Sequence, residues 1–314
     1  MTMAELESSQ AESFEEARYD LSPEQADSIT REFLASRDVP EGRYYCTVVT
    51  DETGSIANVA RTVESSVFNE TFENDTTKMA SLYTPYEPFS RFYTVFDTEA
   101  NRAVGVLRVI ENSEEGIPTF NTVIDNPEVV DGVTWDKLEE DHGIEKDSLD
   151  RIWDVGTLAL LKDYRRGTSG VGPSALLYRA LLIGVQDNNI EHIVTVIDEK
   201  ALGALRKLGI PFENMCDSES FPFEGSEHSF AAIGVVDDVL PNMMRREQEL
   251  RQEMVRAVAS QVLKLTIEYP AQDAKARRRE RGKVMSLIGT PAVIRQIVIG
   301  SGLDEHTQLL TPVS

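Results

Sequence analysis

From Arg43 onward the apolar positions alternate between spacings that suit strands and spacings that suit helices. Tyr44 to Val49 is β-branched and aromatic and runs into the turn residues Asp51-Glu52-Thr53-Gly54, which predicts a strand. Ile56, Val59, Ala60, Val63, Val67 and Phe68 then recur at three- and four-residue steps and predict an amphipathic helix to about residue 72. Two strand-like runs, 91–96 and 103–110, flank the polar segment 97–102 and predict a hairpin. Residues 111–150 are rich in acids and turn formers, with one helical pattern around Trp135 to Glu140. Inserts of that size in compact domains are usually functional or disordered.

The centre of the chain is the most informative. An apolar strand over 152–161 enters the loop Lys162-Asp163-Tyr164-Arg165-Arg166-Gly167-Thr168-Ser169-Gly170-Val171-Gly172, and a helix over 173–187 follows at once. Pro173 suits the first helical position, where its missing N–H is no loss, and Gly172 is a tolerable N-cap. Leu176, Leu177, Ala180, Leu181, Leu182, Ile183 and Val185 cover much of this helix, which predicts heavy burial against a sheet. A strand over 192–197, a short helix over 201–208 stopped by Gly209, and a last strand over 231–236 complete a β-α-β-α-β order. The predicted fold class is α+β (α/β), a mixed central sheet flanked by helices.

Three regions are expected: an acidic N-terminal arm over 1–40, a sheet domain over 41–238 and a helical extension over 239–314. The arm carries ten acids against three bases. It is read as disordered at first, then as a helix over about 23–36 opened by Ser22-Pro23. In the extension, Met243, Met244, Leu250, Met254, Ala257, Val258, Val262 and Leu265 predict helix as far as Pro270, with one or two more helices over 271–299. The Met-rich stretch is read as a packing surface or the seam of a homodimer.

Composition narrows the classes. The 314 residues hold 54 acids and 31 bases, a net charge of −23, which argues against general nucleic-acid binding. A hydrophobic share of 41% excludes wholesale disorder. Cys46 and Cys216 are too few and too far apart for a disulfide framework or a CxxC zinc site, and the four histidines show no HxxxH spacing, so no metal is expected. The first thirty or so residues lack a basic and then an apolar stretch, and no run approaches about eighteen apolar residues. A cytoplasmic protein without membrane segments is expected. One local feature opposes the global charge: Lys275, Arg277, Arg278, Arg279, Arg281 and Lys283. This basic run is read as a solvated helix face or a partner for the acidic arm, with docking of nucleic acid or a carrier protein as the other reading.

A strand feeding a Gly-rich, Arg-bearing loop that caps a helix makes an anion site, because free backbone N–H groups and the positive end of the helix dipole converge there. The pattern is neither GxxxxGK[ST] nor GxGxxG, since Gly170-Val171-Gly172 is followed by Pro173-Ser174-Ala175. It resembles motif A of the GCN5-related N-acetyltransferase (GNAT) superfamily. There an apolar strand, a (Q/R)xxGx(G/A) loop and a helix grip the pyrophosphate of acyl-CoA. Leu158 to Leu161 match the strand, Tyr164-Arg165-Arg166 the loop entry, and Ala175-Leu176-Leu177 the helix. Arg165 and Gly170 are five apart where the family spacing is three, so the loop holds two extra residues. Downstream, 192–210 resembles motif B, with Asp198 in place of the usual Asn and Leu205 in place of the tyrosine that often protonates the departing thiolate.

The long insert is more similar to acyl-homoserine-lactone synthases and bacterial N-acyl amino acid synthases than to small acetyltransferases. Gly105 to Ile110 resembles their GxxRLL strand, and Trp153 to Leu158 their (W)ExSRF segment. Glu64 and Thr157 stand where the lactone synthases keep arginines, which argues against an autoinducer synthase. The resemblance implies an N-acyltransferase that takes acetyl-CoA or a longer acyl-CoA, with acyl carrier protein as second choice, and acylates a small-molecule amine. It assigns the cofactor to Leu160, Leu161, Arg165, Arg166, Gly167, Thr168, Ser169, Gly170, Val171 and Gly172. A backbone N–H near Leu160-Leu161 is to meet the thioester oxygen, and Arg108 and Asp198 are to contact substrate. Asp154 is the candidate general base, because an apolar strand should raise its pKa toward neutrality; Asp198 and Glu111 are reserves. The competing reading is a catalytically silent module that binds an acyl cofactor or a partner and acts through its helical tail.

Overall fold

The computed structural model describes residues 18–50, 54–127, 129–165, 172–250 and 252. Its centre is an eight-stranded mixed sheet of order β1-β2-β3-β4-β5-β8-β6, with β7 paired to β8. The strands are β1 Tyr44–Thr50, β2 Ser90–Asp97, β3 Arg102–Glu111, β4 Ile152–Leu160, β5 His192–Asp198, β6 Glu213–Asn214, β7 Phe221–Phe223 and β8 Ser226–Val235. Pairing is antiparallel from β1 to β4, parallel between β4 and β5, and antiparallel again from β5 to β8.

Helices cover both faces. On one face lie α6 (Pro173–Asp187) and α7 (Glu199–Lys207), packed over Tyr93, Leu107, Val109, Trp153 and Ile193. On the other, α1 (Pro23–Ala35) and α2 (Ser55–Phe72) cover Val49, Phe92, Phe96 and Val106. The insert after β3 covers the remaining part of that face, with Phe120 and Val123 of α4 (Pro118–Val123) and Leu138 of α5 (Trp135–His142) packed on Ile152, Val194 and Ile233. The insert is therefore neither loose nor a loop; its apolar residues cover β5 and β8, which α1 and α2 do not reach. Between α2 and β2 stand α3 (Thr76–Tyr83), which buries only Met79 and so shows no apolar stripe, and a 3₁₀ segment (Thr84–Phe89) that holds Pro85 and Pro88.

Local rules explain the elements that matched expectation. Ser22 and Gln25 form a capping box and Pro23 opens α1, while Gly172 and Pro173 open α6 at the expected residue. α2 ends at Glu73 in the left-handed conformation, with φ 58°.

Several expectations are corrected. α6 buries only Pro173, Leu177, Gly184 and Val185, and Ile183 is 45% exposed, because a helix lying on one sheet buries a single stripe. The arm does not stand apart from 18 onward: Tyr19, Leu21 and Leu34 are buried. Helix α8, over 236–250, starts before Pro241. The rest of the extension, including the basic run and residues beyond 252, lies outside the described residues, as do 1–17. Among the described residues no helix is long and apolar enough to cross a membrane.

Candidate active site

β4 and β5 pair only at Ile152–His192, Trp153–Ile193 and Asp154–Val194, then diverge. The second half of β4 therefore has β3 on one side and a gap on the other. Leu161 donates its N–H to Val104 at 3.0 Å across the β3 side. N–H groups alternate along a strand, so those of Leu160 and Leu158 point away from β3 into the gap. Of the two residues expected to supply a thioester contact, Leu160 thus offers its amide and Leu161 does not. Leu158 and Leu160 of β4, Leu176 of α6, Ile197 of β5 and Phe230 of β8 are partly buried apolar residues packed against the core on the α6 side of the sheet.

A β-bulge lies at the vertex. Arg108 and Val109 of β3 face Thr157 and Val155 of β4, so Gly156 is an extra residue. A side chain there would crowd Tyr83 Cε1 at 3.2 Å and Ile110 Cδ1 at 3.3 Å. The Tyr83 hydroxyl donates to the Gly156 carbonyl at 3.2 Å.

Asp154 sits at the last β4–β5 pair, only 2% exposed, and accepts the Thr119 N–H from α4 at 2.6 Å. Burial pushes its carboxyl up to about 7, against the lowering effect of the hydrogen bonds from Thr119. Its surroundings are those the sequence predicts, and the contributing amide comes from the insert.

Arg108 is fully buried, and all five of its N–H donors are engaged within the protein. Nε and one terminal nitrogen meet the Glu64 carboxylate at 3.0 and 2.7 Å. Glu87, Ser90 and the Tyr19 hydroxyl take the other three at 3.0, 3.1 and 3.0 Å. Tyr19 also donates to Glu87, Thr157 donates to Glu64, and Arg61 pairs with Glu87 at 2.7 Å. Burial works against the charge of Glu87, but Arg108 and Arg61 hold its carboxyl below the usual range. Arg108 therefore ties β3 to α2, β2, the 3₁₀ segment and residue 19, and has no donor left for a substrate. Nothing local in the sequence marks this cluster, because bonded members lie up to 93 residues apart.

Asp198 is likewise engaged: it caps α7 through the Lys200 N–H at 2.9 Å and accepts from Ser226 at 2.8 Å. Leu205 lies in the core. At the loop entry, Tyr164 donates to buried Asp97 at 3.2 Å. Arg165 donates to the Leu160 carbonyl at 2.9 Å and pairs with Glu70 of α2 at 3.3 Å. Lys162 reaches the same carboxylate at 3.1 Å. Arg166, Gly167, Thr168, Ser169, Gly170 and Val171 lie outside the described residues; Gly172 is the N-cap of α6, in extended conformation. Glu111, a reserve base, pairs with Arg91 at 2.6 Å.

No protein-family model matches the chain, and no curated protein matches it in sequence. Solved structures similar to it include FeeM, an N-acyl amino acid synthase from uncultured soil microbes, at 14% identity and TM-score 0.46, over 64% of this chain and 94% of that one. The CoA-dependent acyl-homoserine lactone synthase BjaI with MTA is similar at 13% identity and TM-score 0.44, over 65% and 90% of the two chains. Tetrahymena GCN5 is similar at 12% identity and TM-score 0.38, over 61% and 96%. Identities this low leave the chemistry to be read from the site itself.

Proposed function

We propose that this chain is an N-acyltransferase that moves an acyl group from acyl-CoA to the amine of a small molecule. The observation that carries this is the separation of β4 and β5 after Asp154, which leaves strand amides of the second half of β4 without a strand partner among the described residues. Donors fixed in a strand cost no reorganisation when charge develops on a thioester oxygen, so the amides of Leu158 and Leu160 suit that task. The start of α6 and the loop that precedes it, with Arg165 beside them, would hold the diphosphate. In the transfer, the amine nitrogen bonds to the acyl carbon, the carbon–sulfur bond breaks, and the sulfur leaves as thiolate. Asp154, with its carboxyl near neutrality, takes the proton of the amine directly or through water. Acetyl-CoA or a longer acyl-CoA is the donor, ahead of acyl carrier protein, and the cytoplasm is the proposed compartment.

Leu205 in the core, where the resemblance leads to a tyrosine, favours a second reading: a silent module that binds the cofactor without turning it over. Calorimetric titration with CoA and acyl-CoAs, followed by thiol release across a panel of amines, separates the two. Binding with release supports the transferase; binding alone supports the silent module; no binding removes both. Replacing Arg165 and Arg166 together with Ala should weaken CoA affinity more than about tenfold, since charge-assisted contacts are each worth about 1.5–3 kcal/mol. Unchanged affinity would locate the anion elsewhere.

A further inference from the structure

We infer that Thr157 and Tyr83 are positioning residues for the transfer, because between them they fix the β4 bulge that decides which amides face the gap. The inference rests on the transferase reading and concerns a part of the site that touches no substrate. An extra residue in one strand shifts the alternation by one, so the side chains and amides beyond it exchange sides. Gly156 is that residue, and the N–H groups of Leu158 and Leu160 lie beyond it.

Each half of the bulge has its own clamp. The Gly156 carbonyl accepts from Tyr83, whose ring lies under the Arg108 guanidinium at 4.1 Å. Thr157 gives its hydroxyl to Glu64, which Arg108 grips with two nitrogens. Both clamps converge on one buried cation, which Tyr19, Glu87 and Ser90 hold from the other side. Glu64, Thr157 and Arg108 are each at most 3% exposed, so water does not replace a lost partner there. Arg108 stands opposite Phe92, which packs under α1 and α2, while its neighbours Leu107 and Val109 pack under α6, so the cluster lies on the face opposite α6 and acts on the amides from behind.

The test compares Thr157→Val, Tyr83→Phe and Thr157→Ser with the wild type, by steady-state thiol release from acyl-CoA and by calorimetry with CoA. Misplaced amides should lower kcat about ten- to a hundredfold in the Val and Phe variants, with KM for acyl-CoA and CoA affinity within about twofold. Thr157→Ser, which keeps the hydroxyl, should restore kcat. Unchanged kcat in both variants overturns the inference, as does a joint fall of kcat and CoA affinity that Ser does not rescue. Should Thr157→Val fail to fold, Tyr83→Phe and Thr157→Ser decide the matter by the same criteria. A wild type that binds CoA without releasing thiol defeats the transferase reading instead, and this is seen before any variant is made.

Discussion

The Thr195 hydroxyl donates to the Val155 carbonyl oxygen at 2.8 Å, one residue beyond the last backbone pair of β4 and β5. A side chain takes over where the ladder ends, so the strands separate from a fixed point. Thr195→Val keeps the shape and leaves that carbonyl without its partner, which should cost about 1–3 kcal/mol. Urea unfolding should show the loss, and Thr195→Ser should recover most of it. Equal midpoints for Val and wild type would mean that the vertex is held by packing alone.

Asp154 gives the protein a distinctive pH dependence. Its carboxyl is raised to about 7 from the ordinary 3.8. Between those values the unfolded chain releases a proton that the folded chain keeps, so stability falls as pH rises through the window, by about 4 kcal/mol at most. Below the window both states hold the proton and nothing is lost. Asp154→Asn keeps an acceptor for the Thr119 amide and removes the titration. The stability of the variant relative to wild type should therefore rise between about pH 4 and 7, as read from urea midpoints, and parallel curves would refute the raised pKa. Thiol release should fall in the same variant while CoA affinity holds, and retained turnover would demote Asp154 to a structural role.

Arg108→Leu strands Glu64 and Glu87 without their shared cation in a buried site, and should cost about 3–5 kcal/mol. Arg108→Lys should restore little, since one ammonium cannot replace five forked donors. Tyr19→Phe removes one hydroxyl from the same cluster and should cost about 1–3 kcal/mol, which makes the segment before α1 part of the folding unit. A Tyr19→Phe variant as stable as wild type would show that this segment merely lies on the surface.

Much of this architecture could be read from periodicity. The hairpin 91–110, the start of α6 at Gly172-Pro173 and strand β5 depend on spacing and capping, which are local. The buried character of Asp154 was legible for the same reason, since its neighbours in the strand are apolar. Arg108 was not: an arginine on a strand looks the same whether it meets a ligand or two carboxylates from distant elements. α3 shows no apolar stripe because it buries Met79 alone, and in the 3₁₀ segment Pro85 and Pro88 break the spacing. Gly156 gave no sign of a bulge, because the extra residue shows only when β3 is laid beside β4.

The proposed binding of a diphosphate at the loop entry gives Glu70 a measurable effect. Its carboxylate lies 3.1 Å from Lys162 Nζ and 3.3 Å from an Arg165 terminal nitrogen, with all three side chains substantially exposed. A carboxylate placed there competes with an incoming phosphate for the same two cations, and the cost of displacing it is subtracted from the binding energy of CoA. Exposed pairs of this kind are weak, so Glu70→Gln should strengthen CoA binding by no more than about fivefold. The gain should shrink as salt is added, because the freed cations act through water. Calorimetry with CoA at low and high salt measures both effects. Affinity that is unchanged or weakened in Glu70→Gln would show that the diphosphate does not use Lys162 and Arg165, and that Arg165 serves only to fasten α2 to the end of β4.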